Sequence, residues 1–170
     1  PPRHHPHLQT LNGAQTLVKL LQAERVPAAF GIVGGKLAPL LHAISKSNIP
    51  FYGTRHEAAA PMMAAAVFAS TGRVAVAMGE MGPGALNLAS GAGVAFNNNL
   101  AVLLISTNQH RAAAYPHQGM FMDMDTRAVM APLTGSLTLF GRRDRSAPKP
   151  ARASSRASAV SFRSAQRSNN

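Results

Sequence analysis

Apolar positions along residues 12–106 follow two different patterns. In some stretches they recur at spacings of three and four residues, as at Leu17, Leu20 and Leu21, which predicts helices; short apolar runs between these stretches predict buried strands. The predicted helices are 13–24, 36–45, 57–71 and 83–96, and the predicted strands are 28–33, 49–53, 73–78 and 100–106. Their regular alternation predicts an α/β domain with an open parallel sheet and helices on both faces.

Glycines and polar residues are concentrated in the four loops that follow the predicted strands. These loops are Gly34-Gly35, 55–57, 79–84 and 107–111. Right-handed crossovers between parallel strands bring the carboxyl ends of the strands to one edge of the sheet, where open α/β sheets bind ligands. We therefore expect the four loops to meet at this edge and to form the functional site.

Glu57 is one of three glutamates and stands at the start of the apolar helix predicted over 57–71. One interpretation is an ordinary helix-start carboxylate, which the positive end of the helix dipole stabilises. The other is a carboxylate in a poorly hydrated pocket, among 58–60 and Met62, that exchanges a proton with a ligand. The residues alone leave both interpretations open.

The loop 79–84, with the sequence Gly-Glu-Met-Gly-Pro-Gly, also has two interpretations. Its glycines could present backbone N–H groups to a phosphate, or they could form a tight turn with positive φ angles. No Gly-Lys-Ser/Thr follows the loop, so it is not the phosphate loop of a nucleoside triphosphatase. A dinucleotide-binding glycine motif would follow the first strand rather than the third.

The amino-acid composition excludes several classes of protein function. The chain has no cysteine, which excludes disulfides and thiol catalysis and is compatible with a cytoplasmic location. The longest run without polar side chains, 58–69, is too short to span a membrane, so a soluble protein with no membrane association is expected. His4, His5 and His7 stand among prolines at the N-terminus, and no predicted loop has the residue spacing of a metal site.

Six short segments are weakly informative alone but specific as an ordered set. They are 30–35 (Phe-Gly-Ile-Val-Gly-Gly), 39–41 (Pro-Leu-Leu), 55–64 (Arg-His-Glu-Ala-Ala-Ala-Pro-Met-Met-Ala), 71–74 (Thr-Gly-Arg-Val), 82–87 (Gly-Pro-Gly-Ala-Leu-Asn) and 115–123 (Tyr-Pro-His-Gln-Gly-Met-Phe-Met-Asp). In this order and spacing they resemble the N-terminal domain of thiamine diphosphate enzymes, in the acetolactate synthase-like group. The resemblance extends from about Thr10 to Thr134 and implies the thiamine diphosphate-binding fold.

The resemblance implies that the domain binds the pyrimidine half of thiamine diphosphate. Glu57 stands at the position of the family's glutamate, which hydrogen-bonds the pyrimidine ring and activates the cofactor for reaction with a 2-oxo acid. The residues implied to bind the cofactor are Gly34, Glu57, Gly82, Pro83, Gly84 and Asn87, and those implied to face the substrate are Gln118 and Phe121. Glu80 and Met81 depart from the family, which commonly has small or hydroxylated residues there.

The resemblance also implies that this chain supplies half of an active site. In the family, a C-terminal domain from a partner subunit holds the diphosphate through Mg²⁺ with a Gly-Asp-Gly motif, and this sequence contains no such motif. We therefore expect a homo-oligomer in the complete enzyme, no metal site in this chain, and no turnover by the isolated chain. The alternative is a non-catalytic binding or assembly module that reuses the fold.

Composition divides the chain into a flexible N-terminus (1–11), the cofactor-binding domain (12–134) and a basic tail (135–170) that is expected to be disordered. Residues 141–170 hold eight of the 17 Lys and Arg but one of the six Asp and Glu. A shifted reading frame would explain their Arg, Ser, Ala and Pro content. The rival explanation is that these residues bind nucleic acid or acidic surfaces. Phe162 is the single aromatic residue among residues 141–170, which argues against base stacking.

Overall fold

The computed structural model describes residues 11–109, 120–140 and 158–163; at 137–140 and 158–163 it describes the backbone alone. The helices are α1 (Gly13–Ala23), α2 (Ala38–Ser45), α3 (Ala59–Thr71), α4 (Pro83–Asn97) and α5 (Thr126–Met130), followed by a 3-10 turn over Ala131–Leu133. The strands are β1 (Ala29–Gly31), β2 (Phe51–Gly53), β3 (Ala75–Gly79), β4 (Val102–Asn108), β5 (Ser136–Phe140) and β6 (Ser158–Arg163). Every helix and strand predicted before residue 107 is present, and its ends differ from the prediction by at most two residues.

The strands form one parallel sheet in the order β2-β1-β3-β4-β6-β5. The chain passes from β1 to its neighbour β2, returns across β1 to β3, and continues outward to β4. The direction of winding therefore reverses between β1 and β3. The crevice at the carboxyl ends of these two strands is the switch point at which open α/β sheets bind ligands.

Hydrophobic side chains form a core on each face of the sheet. One core joins the sheet to α1 and α2, and the other joins it to α3, α4 and α5. Neighbouring residues of β3 alternate between them, because Val76 and Met78 enter the first core and Ala75 and Ala77 enter the second. The domain is therefore α/β with helices on both faces. Within the described ranges, no helix has the length and apolar character needed to cross a membrane.

Helix α1 begins with a reciprocal pair of hydrogen bonds. Asn12 Oδ1 accepts the Gln15 N–H at 2.9 Å, and Gln15 Oε1 accepts the Asn12 N–H at 2.9 Å. These bonds satisfy two N–H groups at a helix start. At the other end, Arg25 has a left-handed φ of 55°, and the Val26 N–H bonds to the Leu21 carbonyl at 2.9 Å. This C-terminal motif turns the chain sharply towards β1.

The sheet continues past β4 with two strands from the segment that was expected to be disordered. β6 pairs with β4, from Leu103 beside Ser158 to Asn108 beside Arg163, and β5 pairs with β6. The composition of this segment argues against a separate core, but a strand edge offers N–H and C=O groups to any extended backbone. Residues 141–157 and 164–170 of the predicted tail, and 1–10 of the predicted flexible N-terminus, lie outside the described residues.

Helices α3 and α4 approach each other closely because Gly91 has no side chain. A Cβ at Gly91 would lie 2.3 Å from the carbonyl oxygen of Ala58 and 3.1 Å from Pro61 Cβ. At Gly93, on the same helix, a Cβ would come no closer than 4.0 Å to a neighbour, Leu133 Cδ2. The backbone of α4 therefore rests on the start of α3, next to the turn that carries the candidate acid.

We expect Gly91→Ala to lower the free energy of unfolding by about 1–3 kcal/mol, because the added methyl group must push the start of α3 away. Gly93→Ala is the matched control, and it should leave stability unchanged or raise it by up to about 1 kcal/mol through better helix propensity. Urea unfolding followed by circular dichroism measures both variants. Equal stability of the two would contradict the close packing at Gly91.

Candidate functional site

The loops predicted to meet at the carboxyl edge of the sheet lie together there, as far as the structure describes them. In the loop after β3, Glu80 bonds to Lys36 from the loop after β1 and to Thr107 near the end of β4. Gly84, at the start of α4, lies beside Glu57 from the loop after β2. One site is thus built from four segments that are distant in sequence.

The Glu57 carboxylate is half-buried and lies in the turn that precedes α3, two residues before the helix begins. Its Oε2 accepts a hydrogen bond of 3.0 Å from Asn87 Nδ2 on α4. Its Oε1 lies beside Gly84, where an added Cβ would be 3.2 Å away. One carboxylate oxygen is therefore held by an amide, and the other is next to a position without a side chain.

His56 fixes the backbone on either side of Glu57. Its Nδ1 accepts the Ala58 N–H at 3.1 Å, and its carbonyl accepts the Ala59 N–H at 3.1 Å. The Glu57 carbonyl in turn accepts the Ala60 N–H at 3.0 Å. These bonds satisfy N–H groups that the start of α3 would otherwise leave unpaired. They hold Glu57 in place although the His56 side chain itself is exposed.

The glycine loop is a tight turn that also walls the space beside Glu57. Gly82 has a φ of 66°, in the left-handed region that favours glycine, and α4 begins at the next residue, Pro83. A Cβ at Gly82 would lie 2.7 Å from the carbonyl oxygen of Met122, so the segment after β4 packs directly on the loop. This geometry agrees with the tight-turn interpretation of the sequence.

The Glu80 carboxylate fills the crevice between the loops after β1 and β3. Its two oxygens share the Lys36 N–H, at 3.1 and 3.3 Å, and Oε1 also accepts the Thr107 hydroxyl at 3.1 Å. A Cβ at Gly34 would lie 1.8 Å from Oε2. The absence of a side chain at Gly34 therefore leaves the room that the carboxylate occupies.

Thr107 joins the glycine loop to the sheet. It is 1% exposed, and its Oγ1 accepts the Met81 N–H at 3.0 Å while it donates to Glu80. A hydroxyl carries one hydrogen, so Thr107 donates to Glu80 and serves Met81 only as an acceptor. One buried side chain of β4 thus holds two neighbouring residues of the glycine loop.

Gln109 ties the segment after β4 to the same loops. Lys36 Nζ donates to Gln109 Oε1 at 3.1 Å, and Gln109 Nε2 donates to the Phe121 carbonyl at 2.9 Å. Gln109 is 3% exposed, whereas Phe121 is 83% exposed, so its ring is accessible to a ligand. Gln118, the other residue predicted to face the substrate, lies outside the described residues. Across the described ranges, no group of three or more His, Asp and Glu side chains could hold a metal ion.

Comparison with known proteins identifies the family of this domain. Residues 11–129 match the family described as thiamine pyrophosphate enzyme, N-terminal TPP binding domain. The chain belongs to this family. The matched range includes the first four strands, the glycine loop, Glu57 and Glu80. Thiamine diphosphate is thus the cofactor that members of this family use.

Several relatives of this thiamine diphosphate-binding domain are acetolactate synthases. The catabolic acetolactate synthase of Raoultella terrigena is 37% identical over 135 residues, which are 78% of this chain and 23% of that protein. The probable acetolactate synthase large subunit of Methanococcus aeolicus is 36% identical over 96 residues, 56% of this chain and 16% of its own length. The probable 2-ketoarginine decarboxylase of Pseudomonas aeruginosa is 34% identical over 127 residues, which are 74% of this chain and 23% of that protein. The chain therefore spans less than a quarter of each of these relatives.

Three residues that connect the loops of the domain, Lys36, Thr107 and Gln109, were not named as site residues, although the loop 107–111 was expected to contribute to the site. Their positions gave a signal, because Lys36 follows Gly34-Gly35 and the other two lie at the carboxyl end of β4. The sequence pattern does not show which side chains point at one another across a crevice. It therefore did not predict that these donors meet Glu80 and Phe121.

We expect Thr107→Val to lower the free energy of unfolding by about 1–3 kcal/mol, because it leaves the buried Met81 N–H without an acceptor and Glu80 without one donor. Valine has nearly the same shape as threonine, so the loss reports the hydroxyl rather than a cavity. Thr107→Ser keeps the hydroxyl and should recover much of that hydrogen-bond energy. Urea unfolding measures both, and a Thr107→Val protein as stable as the unchanged chain would contradict the assigned bonds.

Proposed function

We propose that this domain binds the pyrimidine ring of thiamine diphosphate and that Glu57 is the residue that exchanges a proton with that ring. Membership of the thiamine pyrophosphate enzyme family supports the cofactor. The observation that supports Glu57 as this residue is its half-buried carboxylate, which Asn87 holds at the carboxyl edge of the sheet. A surface helix-start glutamate would have neither this burial nor this partner.

The hydrogen bonds of Glu57 leave one of its oxygens to a ligand in this proposal. A Cβ at Gly84 would lie 3.2 Å from Glu57 Oε1, so any side chain there would crowd this oxygen. Among the described residues, the one hydrogen-bond donor to this carboxylate is Asn87, which bonds to Oε2. Oε1 therefore remains as an acceptor for a ring N–H. Gly34, Gly82 and Pro83, which the family resemblance implies as cofactor contacts, belong to loops at the same edge of the sheet.

When bound, thiamine diphosphate supplies an electron sink for breaking and forming carbon–carbon bonds next to the carbonyl group of a 2-oxo acid. The contribution of this chain is to hold the ring and to give or take a proton at Glu57 Oε1, within hydrogen-bonding distance. Asn87 acts as a positioning residue, because its amide fixes the orientation of the carboxylate through Oε2. Proton exchange is thereby confined to one oxygen.

A second domain completes the site in this proposal. The chain matches 16–23% of the length of three relatives. In this proposal the diphosphate and Mg²⁺ are held by a C-terminal domain of a partner subunit. Exposed apolar side chains of α3 and α4 support such a partner, namely Met62, Met63, Leu86 and Val94. Gln118 and Phe121 would then face a 2-oxo acid substrate.

Binding of thiamine diphosphate, measured by calorimetry with Mg²⁺ present, tests the proposed function. We expect heat of binding with the unchanged chain and at least a tenfold loss of affinity, about 1.4 kcal/mol, for Glu57→Gln, because the amide lacks a titratable oxygen. Glu24→Gln, at the exposed end of α1, is the charge-matched control and should bind normally. No binding by the unchanged chain, or equal binding by Glu57→Gln, would refute the proposal.

The isolated chain should release no carbon dioxide from pyruvate when thiamine diphosphate and Mg²⁺ are supplied. The physical reason is that the contacts to the diphosphate and its metal ion, which provide much of the binding energy and fix the reactive carbon, belong to the other half of the site. An enzyme-coupled carbon dioxide assay measures this, with a complete acetolactate synthase as positive control. Turnover by the isolated chain would contradict the division of the site between two domains.

A further inference from the structure

A cleft at the amino edge of the sheet lies opposite the candidate site. Strands β1, β2 and β3 are parallel, so the segments that precede them meet at one edge of the sheet, and the loops that carry Glu57 and Glu80 meet at the other. The preceding segments form an open cleft of about 320 Å³, which we call the amino-edge cleft. Its lining residues are Gln22, Arg25, Val26, Pro27, Asn48 and Arg73. A ligand in this cleft would not compete with one beside Glu57.

The lining of the amino-edge cleft is rich in hydrogen-bond donors and positive charge. Arg25 and Arg73 contribute two guanidinium groups, and none of the described lining residues is Asp or Glu. Gln22 Nε2 donates to Asn48 Oδ1 at 2.8 Å, so this bond occupies an acceptor of the cleft. The Asn48 NH₂ group has no partner among the described residues. Such a lining suits an anion that accepts several hydrogen bonds.

The Arg73 guanidinium is held in place before any ligand arrives. Its Nη2 donates to the carbonyl oxygen of Arg25, in the turn that leads from α1 to β1. The Arg73 N–H donates to Thr71 Oγ1 at 3.2 Å, which fixes the backbone just before β3. A guanidinium carries several N–H donors, so the bond to Arg25 leaves others for a ligand. A group that is already positioned loses less side-chain freedom on binding.

Arg25 stands at a backbone position that does not favour arginine. Its φ of 55° lies in the left-handed region, where glycine and asparagine are less strained than other residues. The turn after α1 would therefore form more readily with glycine. The Arg25 guanidinium has no hydrogen-bond or ion-pair partner in the part of the chain that the structure describes. Neither the backbone nor an internal contact explains this arginine, and residues strained in this way are concentrated at ligand sites.

We propose that the amino-edge cleft binds the phosphate group of a small phosphorylated compound, with Arg25 and Arg73 as donors to the phosphate oxygens. A phosphate monoester carries a charge of about −1.5 to −2 at neutral pH. Two guanidinium groups offset such a charge, whereas a carboxylate would leave one of them without a counter-charge. The volume of about 320 Å³ leaves room for part of the compound beyond the phosphate. This site is independent of the proposed function at Glu57.

Titration of inorganic phosphate into the full chain, followed by ¹H–¹⁵N NMR at constant ionic strength, tests the proposal. Each amide signal reports on its own surroundings, so phosphate bound by the basic residues 141–170 is seen separately. We expect saturable shifts at Arg25, Val26 and Arg73, with the Glu57 signal unchanged. Acetate, the carboxylate probe, should bind about fivefold more weakly, because it carries less charge. No saturable shift, or equal affinity for acetate, would overturn the proposal.

Neutral variants of the two arginines test their role as donors. Arg73→Gln and Arg25→Asn should each weaken phosphate binding about fivefold or more, because each removes a charged donor. Asparagine is chosen at position 25 because it tolerates the left-handed backbone. Arg127→Gln makes the same change in net charge at an exposed position of α5 and should bind phosphate like the unchanged chain. Equal affinity of Arg25→Asn, Arg73→Gln and the unchanged chain would show that the arginines do not hold the anion.

Arg25→Gly separates loss of the ligand from loss of the fold. Glycine relieves the left-handed backbone, so the midpoint of thermal unfolding should rise by about 2–4 °C. Phosphate affinity should nevertheless fall as far as in Arg25→Asn, because both variants lack the guanidinium. Unfolding cannot explain weaker binding by a more stable protein. An Arg25→Gly protein that binds phosphate as tightly as the unchanged chain would refute the proposed site.

Discussion

Parallel pairing of β1, β3 and β4 sets the position of the candidate site. Ala29 is paired with Val76 and Val76 with Leu103, so three strands from different parts of the chain approach the carboxyl edge in register. The loops that follow can then form hydrogen bonds between residues as far apart in sequence as Lys36 and Glu80, which are separated by 44 positions. Without this register, Glu57 and Glu80 would belong to unrelated surface loops.

The two glutamates show how the same side chain takes different tasks in one site. Glu57 has one oxygen held by Asn87, and its other oxygen lies beside Gly84, which has no side chain. Glu80 has both oxygens bonded to donors of the chain, an arrangement that suits a fixed group. The difference comes from the neighbours, because donors of the chain hold both oxygens of Glu80 but only one oxygen of Glu57.

Periodicity was enough to predict the first four strands and four helices, because apolar residues must enter one of two cores on either side of a parallel sheet. It also predicted that the loops would meet, since parallel strands leave no other choice. The start of α3 was less predictable: Glu57 precedes the helix because His56 accepts the Ala58 N–H, and a histidine in that role has no distinctive pattern. The strands β5 and β6 were not predicted, because composition reports the burial of side chains and says little about pairing of backbone.

The fit between Gly34 and Glu80 links two loops that could otherwise change independently. A larger residue at position 34 would take the space of the carboxylate, and a smaller residue at position 80 would leave the Lys36 N–H and the Thr107 hydroxyl without their acceptor. An engineer who transfers the glycine loop into a related enzyme must therefore transfer the glycine after the first strand as well.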